Sequence, residues 1–187
     1  MSDFKIHDIE SSTGERREVL EQIQDLYDKV PNVVAALSES PAAARAYLDV
    51  SNAVDAMSFS RTELHVIWFT INRFHGCHYC MAAHTPFAKG DGVDEEVIAT
   101  ARQGGPYADD RLETLRAFTL RMVESRGWVG QEEVEAFITA GFTRENVFEI
   151  IVIIAQKVML NYTNHIVDTP LDPAYQPYRW EEGDAQS

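Results

Sequence analysis

Residues 72–84 read Asn72-Arg73-Phe74-His75-Gly76-Cys77-His78-Tyr79-Cys80-Met81-Ala82-Ala83-His84 and contain both cysteines of the chain. Cys77, Cys80 and His84 fall at i, i+3 and i+7, so a helix that begins at Cys77 presents all three on one face. Gly76 breaks the helix that precedes it. A thiol becomes a nucleophilic thiolate near neutral pH only beside a base or a positive neighbour, and a second thiol three residues away can capture an oxidised sulfur as a disulfide. The stretch therefore carries the parts of a thiol redox device.

Working outward, the flanking sequence is helical. Ser60, with Glu63 three residues on, forms a capping box that opens a helix over Arg61 to Phe74. The helix from Cys77 runs to about Lys89, where Gly90 and Gly92 end it, and Pro86 is expected to bend it near its far end. Asp94 can cap Glu95 to Arg102, Gly104-Gly105-Pro106 is a break, and Asp109 or Asp110 can open a helix reaching Glu124. Helices over Gln131–Thr139 and from Arg144 to about Ile166, the latter capped by Thr143, follow. Toward the N-terminus, Arg16 to Tyr27 places Val19, Leu20, Ile23 and Leu26 at spacings of three and four, with Pro31 ending the segment. Pro41 suits the first turn of an Ala-rich helix that extends to Met57.

No strand pattern competes with these signals, and the fold class is all-α. The aliphatic run Ile150 to Ala155 is closed by Glu149 and by Gln156-Lys157, which makes it a buried helix rather than a membrane span. Pro170, Pro173 and Pro177 argue against a helix after Asp168, while Tyr175, Tyr178 and Trp180 give residues 168–187 apolar surface with which to dock.

The chain has 187 residues, 45 % of them apolar, enough for one well-buried core and too few for two, so residues 1–187 are expected to form a single domain. With 16 Lys and Arg against 30 Asp and Glu, the formal charge is -14, which argues against partners that present phosphates or anionic membranes. Small molecules and proteins are the expected partners. The opening residues hold no apolar segment of the kind that directs export, and two cysteines are too few for a disulfide scaffold. A cytoplasmic protein is expected.

The helix opened by Ser60 and Arg61, the link Asn72 to Gly76, and Cys77-His78-Tyr79-Cys80 with Ala82-Ala83-His84 together resemble the alkylhydroperoxidase D or carboxymuconolactone decarboxylase superfamily. The likeness is strongest from Ser60 to Val97 and is to members called peroxidase-related. It implies a small helical bundle that forms homo-oligomers, and a cysteine pair that reduces a peroxide or another small oxidant and is itself reduced by a dithiol, with no cofactor. Carried over residue by residue, the motif makes Cys80 the peroxide-reacting thiol, Cys77 the resolving thiol and His84 part of a proton relay. The residues themselves leave the order of the thiols open, because Cys77 is nearer the helix N-terminus and Cys80 stands one turn from His84. The family's relay places a glutamate twelve residues before the first cysteine, and that position here is His65. Glu63 points to another side of its helix, so His65 is expected to fill the relay position and to tie thiol reactivity to a histidine titration.

Plainer readings stand beside these. Two thiolates and an imidazole are good zinc ligands, with His65 or His165 as a fourth, so a zinc-binding or purely structural helical oligomer is the alternative. Glu63 is accounted for by capping. Trp68 and Phe69 read as core, His75 and His78 as turn or surface residues, and His7 has no partner motif. Asn161, Asn164 and His165, at the end of an apolar helix, read as capping or solvent-facing groups, with an active-site role as the less favoured reading. Lactone decarboxylation is disfavoured, since members with that activity lack the cysteine pair.

Overall fold

Six of the helices begin on side chains, Ser40 and Cys77 among them, that satisfy the free N–H groups of a first turn. Ser60 accepts from Glu63 N while Glu63 Oε2 accepts from Ser60 N at 2.8 Å, completing the expected capping box. Asp94, Asp109 and Thr143 cap in the same way. The structure, a computed structural model, describes residues 4–181. These form α1 (Gly14–Tyr27), α2 (Asn32–Leu37), α3 (Pro41–Asp55), α4 (Arg61–Phe74), α5 (His78–Gly90), α6 (Glu95–Gln103), α7 (Asp110–Glu124), α8 (Gln131–Thr139), α9 (Arg144–Val167) and a 3-10 helix (Pro173–Tyr178). There is no strand among the described residues, and the fold is all-α.

Two elements differ from the sequence expectation. The short α2 lies between Pro31 and Pro41, where its two valines gave no periodic signal, and it buries Val33, Val34, Ala35 and Ala36. The tail forms a 3-10 turn despite its prolines, because Pro173 stands at a first position that needs no N–H donor.

The core has two parts. One joins α4, α6, α7, α8 and α9 and includes the stacked rings of Phe118, Phe137 and Phe142, whose centroids lie 4.0 and 4.2 Å apart in sequence. The other joins α1, α2, α3, α5 and the tail around Tyr47, Tyr79 and Tyr175. Helices α4, α5 and α9 pack on one another along the seam. Although α9 is long and apolar enough to cross a membrane by composition, its buried side carries Ile150, Ile153 and Leu160 together with Gln156, Lys157, Asn161 and Asn164. The aliphatic run is not wholly buried, since Ile151 is 48 % exposed.

The turn between α4 and α5 sets the site. Gly76, at φ +62°, adopts the left-handed conformation that favours glycine. Gly76 N donates to Arg73 O and Cys77 N to Asn72 O, both at 2.9 Å, which satisfies the last carbonyls of α4. The chain then reverses, so the start of α4 lies beside the end of α5 and His65 Nε2 reaches Asp91 Oδ2 at 2.9 Å.

The tail expected to dock over 168–187 is described through residue 181, and 182–187 lie outside the described residues. Trp180 is buried, its indole N–H donates to Arg102 O at 2.9 Å, and its carbonyl accepts from His78 Nδ1 at 2.8 Å. His78 is thus a tail contact. Asp172 is buried and accepts the Tyr79 hydroxyl and the Asn32 N–H. Asp172→Ala leaves both donors without their partner and should destabilise the fold by about 2 kcal/mol. Tyr79→Phe, which removes this hydroxyl donor and also the acceptor of Val33 N at 3.4 Å, should cost about 1 to 2 kcal/mol in the same urea-unfolding measurement.

Candidate functional site

Cys77 serves two helices. Its N–H closes the turn after α4, and its Sγ caps α5 by accepting Cys80 N at 3.4 Å. Both cysteines are buried free thiols. From α9, Asn161 Nδ2 donates to Cys80 Sγ at 3.1 Å, and Asn164 Nδ2 donates to Cys80 Sγ at 3.3 Å and to Cys77 Sγ at 3.4 Å. Asn161 is fixed in turn by Asn72 Oδ1 at 3.0 Å. Donors converging on sulfur at a helix N-terminus favour a thiolate.

The two sulfurs divide that effect unequally. A hydrogen bond from the Cys80 thiol, against the opposing cost of burial, and further donors from Cys80 N and Asn164 hold the Cys77 thiol down from 9.0 to about 6. Burial pushes the Cys80 thiol well up, with Cys77 adding to the rise and the Lys157 charge opposing it. The two thiols titrate as one coupled pair, and these directions favour the negative charge on Cys77 over Cys80.

His84, one turn beyond Cys80, makes no hydrogen bond to either sulfur among the described residues. Its Nε2 meets Lys157 Nζ at 2.7 Å, and its Nδ1 is buried without a partner. Burial, then the Lys157 charge, push its pKa well below the histidine range, so it is neutral and its Nε2 accepts a hydrogen bond from the ammonium. Lys157 is itself 2 % exposed and makes no ion pair among the described residues. Burial lowers its pKa, and the two thiols work against that shift. His65 is buried, and its pKa is lowered by burial against the opposing effect of Asp91. The His65 and His84 rings meet edge-on with centroids 6.1 Å apart and no hydrogen bond between them.

These groups open on a cavity of about 370 Å³ bounded by α3, α4, α5 and α9. Cys80, His65, His84 and Lys157 line it, with aromatic walls that include Trp68 and Tyr47. Cys77 does not line it and sits behind Cys80. Trp68 is accordingly a cavity residue, held by its N–H to Gln156 Oε1 at 3.0 Å, whereas Phe69 is core.

The structure thus brings Cys77, Cys80, His84 and His65 to one seam. Asp91 supplies a carboxylate beside His65, which the sequence expectation lacked. Lys157 was also missed, and a lysine placed among the apolar residues of α9 was the available signal. Asn161 and Asn164 are buried thiol ligands instead of caps, while His165 is exposed and takes no part. Glu63 is a cap that also binds Arg111 Nε at 2.8 Å, and His7 pairs with Glu39 at 2.7 Å far from the cavity. Among the described residues no group of three or more His, Cys, Asp or Glu side chains is placed to hold a metal ion, so the zinc alternative has no ligand set here.

Comparison with known proteins agrees with this architecture. The carboxymuconolactone decarboxylase family matches residues 41–120. The fold is similar to that of a peroxidase-related protein from Silicibacter sp. TM1040, at 18 % identity over 93 % of this chain and 92 % of that one, with a TM-score of 0.78. A peroxidase-related protein with an alkylhydroperoxidase AhpD core, from Ralstonia eutropha JMP134, is similar at 19 % identity over 92 % and 93 % of the two chains, again with a TM-score of 0.78. A variant of the debrominase Bmp8 in complex with 2,3,4-tribromopyrrole shares 19 % identity over 86 % and 87 %, with a TM-score of 0.72. Among curated proteins nothing matches. With its matched segment spanning α3 to most of α7, and its cysteine pair at the start of α5, the chain is similar to the carboxymuconolactone decarboxylase family over residues 41–120 and shares the fold of the alkylhydroperoxidase-like structures.

Proposed function

We propose that the chain is a thiol-dependent peroxidase in which Cys80 meets the oxidant and Cys77 acts first as its base and then as its resolving thiol. The observation that carries this is the stacking of the pair: Cys80 lines the cavity, and Cys77 lies behind it within a hydrogen-bonded pair, its thiol held below the ordinary value. As an oxidant enters, the Cys80 proton passes to Cys77, and the resulting Cys80 thiolate attacks the terminal oxygen of a hydroperoxide. The O–O bond breaks, its electron pair leaves on the inner oxygen, and Cys80 becomes a sulfenic acid. The Cys77 thiol then condenses with it, giving a disulfide and water. An external dithiol returns the pair to its reduced state. His65 and His84, both neutral, border the cavity and shape its polarity; the donor facing His84 is Lys157, not His65.

A second reading rests on the size of the cavity, which exceeds what hydrogen peroxide needs and has aromatic walls suited to a flat ring. The same pair could reduce a halogenated heteroaromatic: the carbon–halogen bond breaks, a proton replaces the halogen, halide leaves, and the two thiols become the disulfide. Halide release from 2,3,4-tribromopyrrole by the reduced chain, without peroxide, separates this reading from the first. For assembly we propose a homo-oligomer that covers the exposed side of α9, where Phe148 and Ile151 are 69 % and 48 % exposed. Sedimentation of the purified chain decides that point.

One equivalent of hydroperoxide should remove two hydrogens from the intact mass by forming the Cys77–Cys80 disulfide. Cys77→Ser should stop at a sulfenic acid on Cys80, and Cys80→Ser should form neither product. A sulfenic acid found on Cys77 in Cys80→Ser would reverse the assignment.

The pH profile follows from the lowered Cys77 pKa. The reactive pair is ionised above about 6, so single-turnover oxidation should rise with pH through that value and then level off. The groups facing Cys77 are Cys80 on α5 and Asn164 and Lys157 on α9. In Cys77→Ser, Cys80 must ionise against burial without an internal base, and the midpoint should move up. A wild-type profile that keeps climbing toward 9.0, the ordinary thiol value, would remove Cys77 as the base.

A further inference from the structure

Lys157 is a buried side chain in the middle of α9, 2 % exposed, and the peroxide mechanism above does not use it. An ammonium has three donors, and among the described residues only one of them is occupied, by His84 Nε2 at 2.7 Å. The side chain also lines the cavity together with Cys80. A buried cation that among the described residues has two unused N–H donors and no carboxylate partner, with a reactive sulfur across the same cavity, is arranged to receive negative charge that develops there.

The peroxide reaction creates such a charge. When the O–O bond breaks, the inner oxygen leaves as an alkoxide, a strongly basic group that needs a proton as it departs. The other titratable groups lining the cavity are poor donors. Arg61 is paired with Asp55 at 2.9 Å, and a guanidinium does not give up its proton. His65 and His84 are neutral, Asp91 is an acceptor for His65 and Asp55 for Arg61, burial pushes the Tyr47, Tyr79 and Tyr175 hydroxyls up, and the Tyr27 hydroxyl is bonded to that of Tyr47 at 3.0 Å. Burial moves Lys157 the opposite way, toward easier proton release, which is the direction in which enzymes tune a lysine acid.

We propose that Lys157 is a catalytic general acid: it hydrogen-bonds the oxygen that leaves from Cys80 and protonates it, with His84 holding the ammonium in place. The proposal rests on the peroxidase reading. The step balances as follows. The Cys80 thiolate bonds the terminal OH of the hydroperoxide, the O–O electron pair goes to the inner oxygen, and that oxygen takes a proton from Lys157. The products are Cys80 sulfenic acid, an alcohol and a neutral amine. After condensation with Cys77, reduction of the disulfide by the external dithiol releases a proton that recharges Lys157. Proton and electron pair are thus restored in the same half of the cycle.

The test compares two oxidants that differ in their leaving group. tert-Butyl hydroperoxide expels an alkoxide, and peracetic acid expels acetate, which needs no proton. Single-turnover oxidation of Cys80 is measured with both, in wild type, in Lys157→Met and in Lys157→Gln, with folding checked by circular dichroism. The expected result is that the ratio of the peracetic acid rate to the tert-butyl hydroperoxide rate rises by about 100-fold in the variants, the lower range of a lost general acid. Any loss common to both oxidants reports the weaker thiolate and cancels in the ratio. Lys157→Gln keeps a hydrogen-bond donor toward His84, so it covers the case in which the methionine variant does not fold. A ratio unchanged in the folded variant overturns the role of Lys157 while leaving the peroxidase reading intact. If wild-type Cys80 reacts with neither oxidant, the peroxidase reading falls and this inference falls with it.

Discussion

The contact between the Lys157 ammonium and the neutral imidazole of His84 constrains the whole seam between α5 and α9. Burying an unpaired cation costs several kcal/mol unless other groups compensate it. No carboxylate among the described residues does so. The compensation comes from the sulfurs, whose charge holds the lysine protonated just as the lysine favours their ionisation. This mutual dependence explains why α9, among the most apolar helices of the chain, turns Gln156, Lys157, Asn161 and Asn164 inward instead of toward solvent. Each finds its partner on α3, α4 or α5, or on the Cys77 cap between α4 and α5, so the polar seam also fixes how α9 sits on the other helices.

Much of the helical layout was legible because its signals are local. The capping box of Ser60 and Glu63, the Thr143 cap and the glycines after Phe74 and Lys89 act within a few residues, and the corresponding helix ends fall within about two residues of where those signals put them. The short α2 was not legible, since Asn32-Val33-Val34-Ala35-Ala36-Leu37 is too brief for a periodic pattern and is held by burial. The 3-10 turn of the tail was hidden by prolines that rule out an α-helix but tolerate a tighter turn.

The site divides along the same line. Spacing alone placed Cys77, Cys80 and His84 on one face, and the family resemblance put His65 at the relay position. Lys157 and Asp91 escaped because their partners are distant in sequence: Lys157 meets a residue of α5, and Asp91 reaches back to the first turns of α4. Asn161 and Asn164 looked like helix-end residues for want of any local sign that two sulfurs would lie opposite them. The unresolved choice between the thiols also has a physical origin. Helix position favours charge on Cys77, while access favours Cys80, and both are present in one hydrogen-bonded pair.

The turn at Gly76 and Cys77 makes one side chain both a piece of architecture and a reagent. Because the Cys77 sulfur caps α5, any change that empties this position alters the helix start along with the chemistry. An alanine there would remove a nucleophile, a charge and a cap together, and its phenotype could be read as any of the three. Serine restores an acceptor at the cap and deletes only the sulfur. The informative mutational vocabulary at this position is therefore set by helix geometry, and the same holds for the oxidised state, in which the capping sulfur carries a covalent bond and no charge.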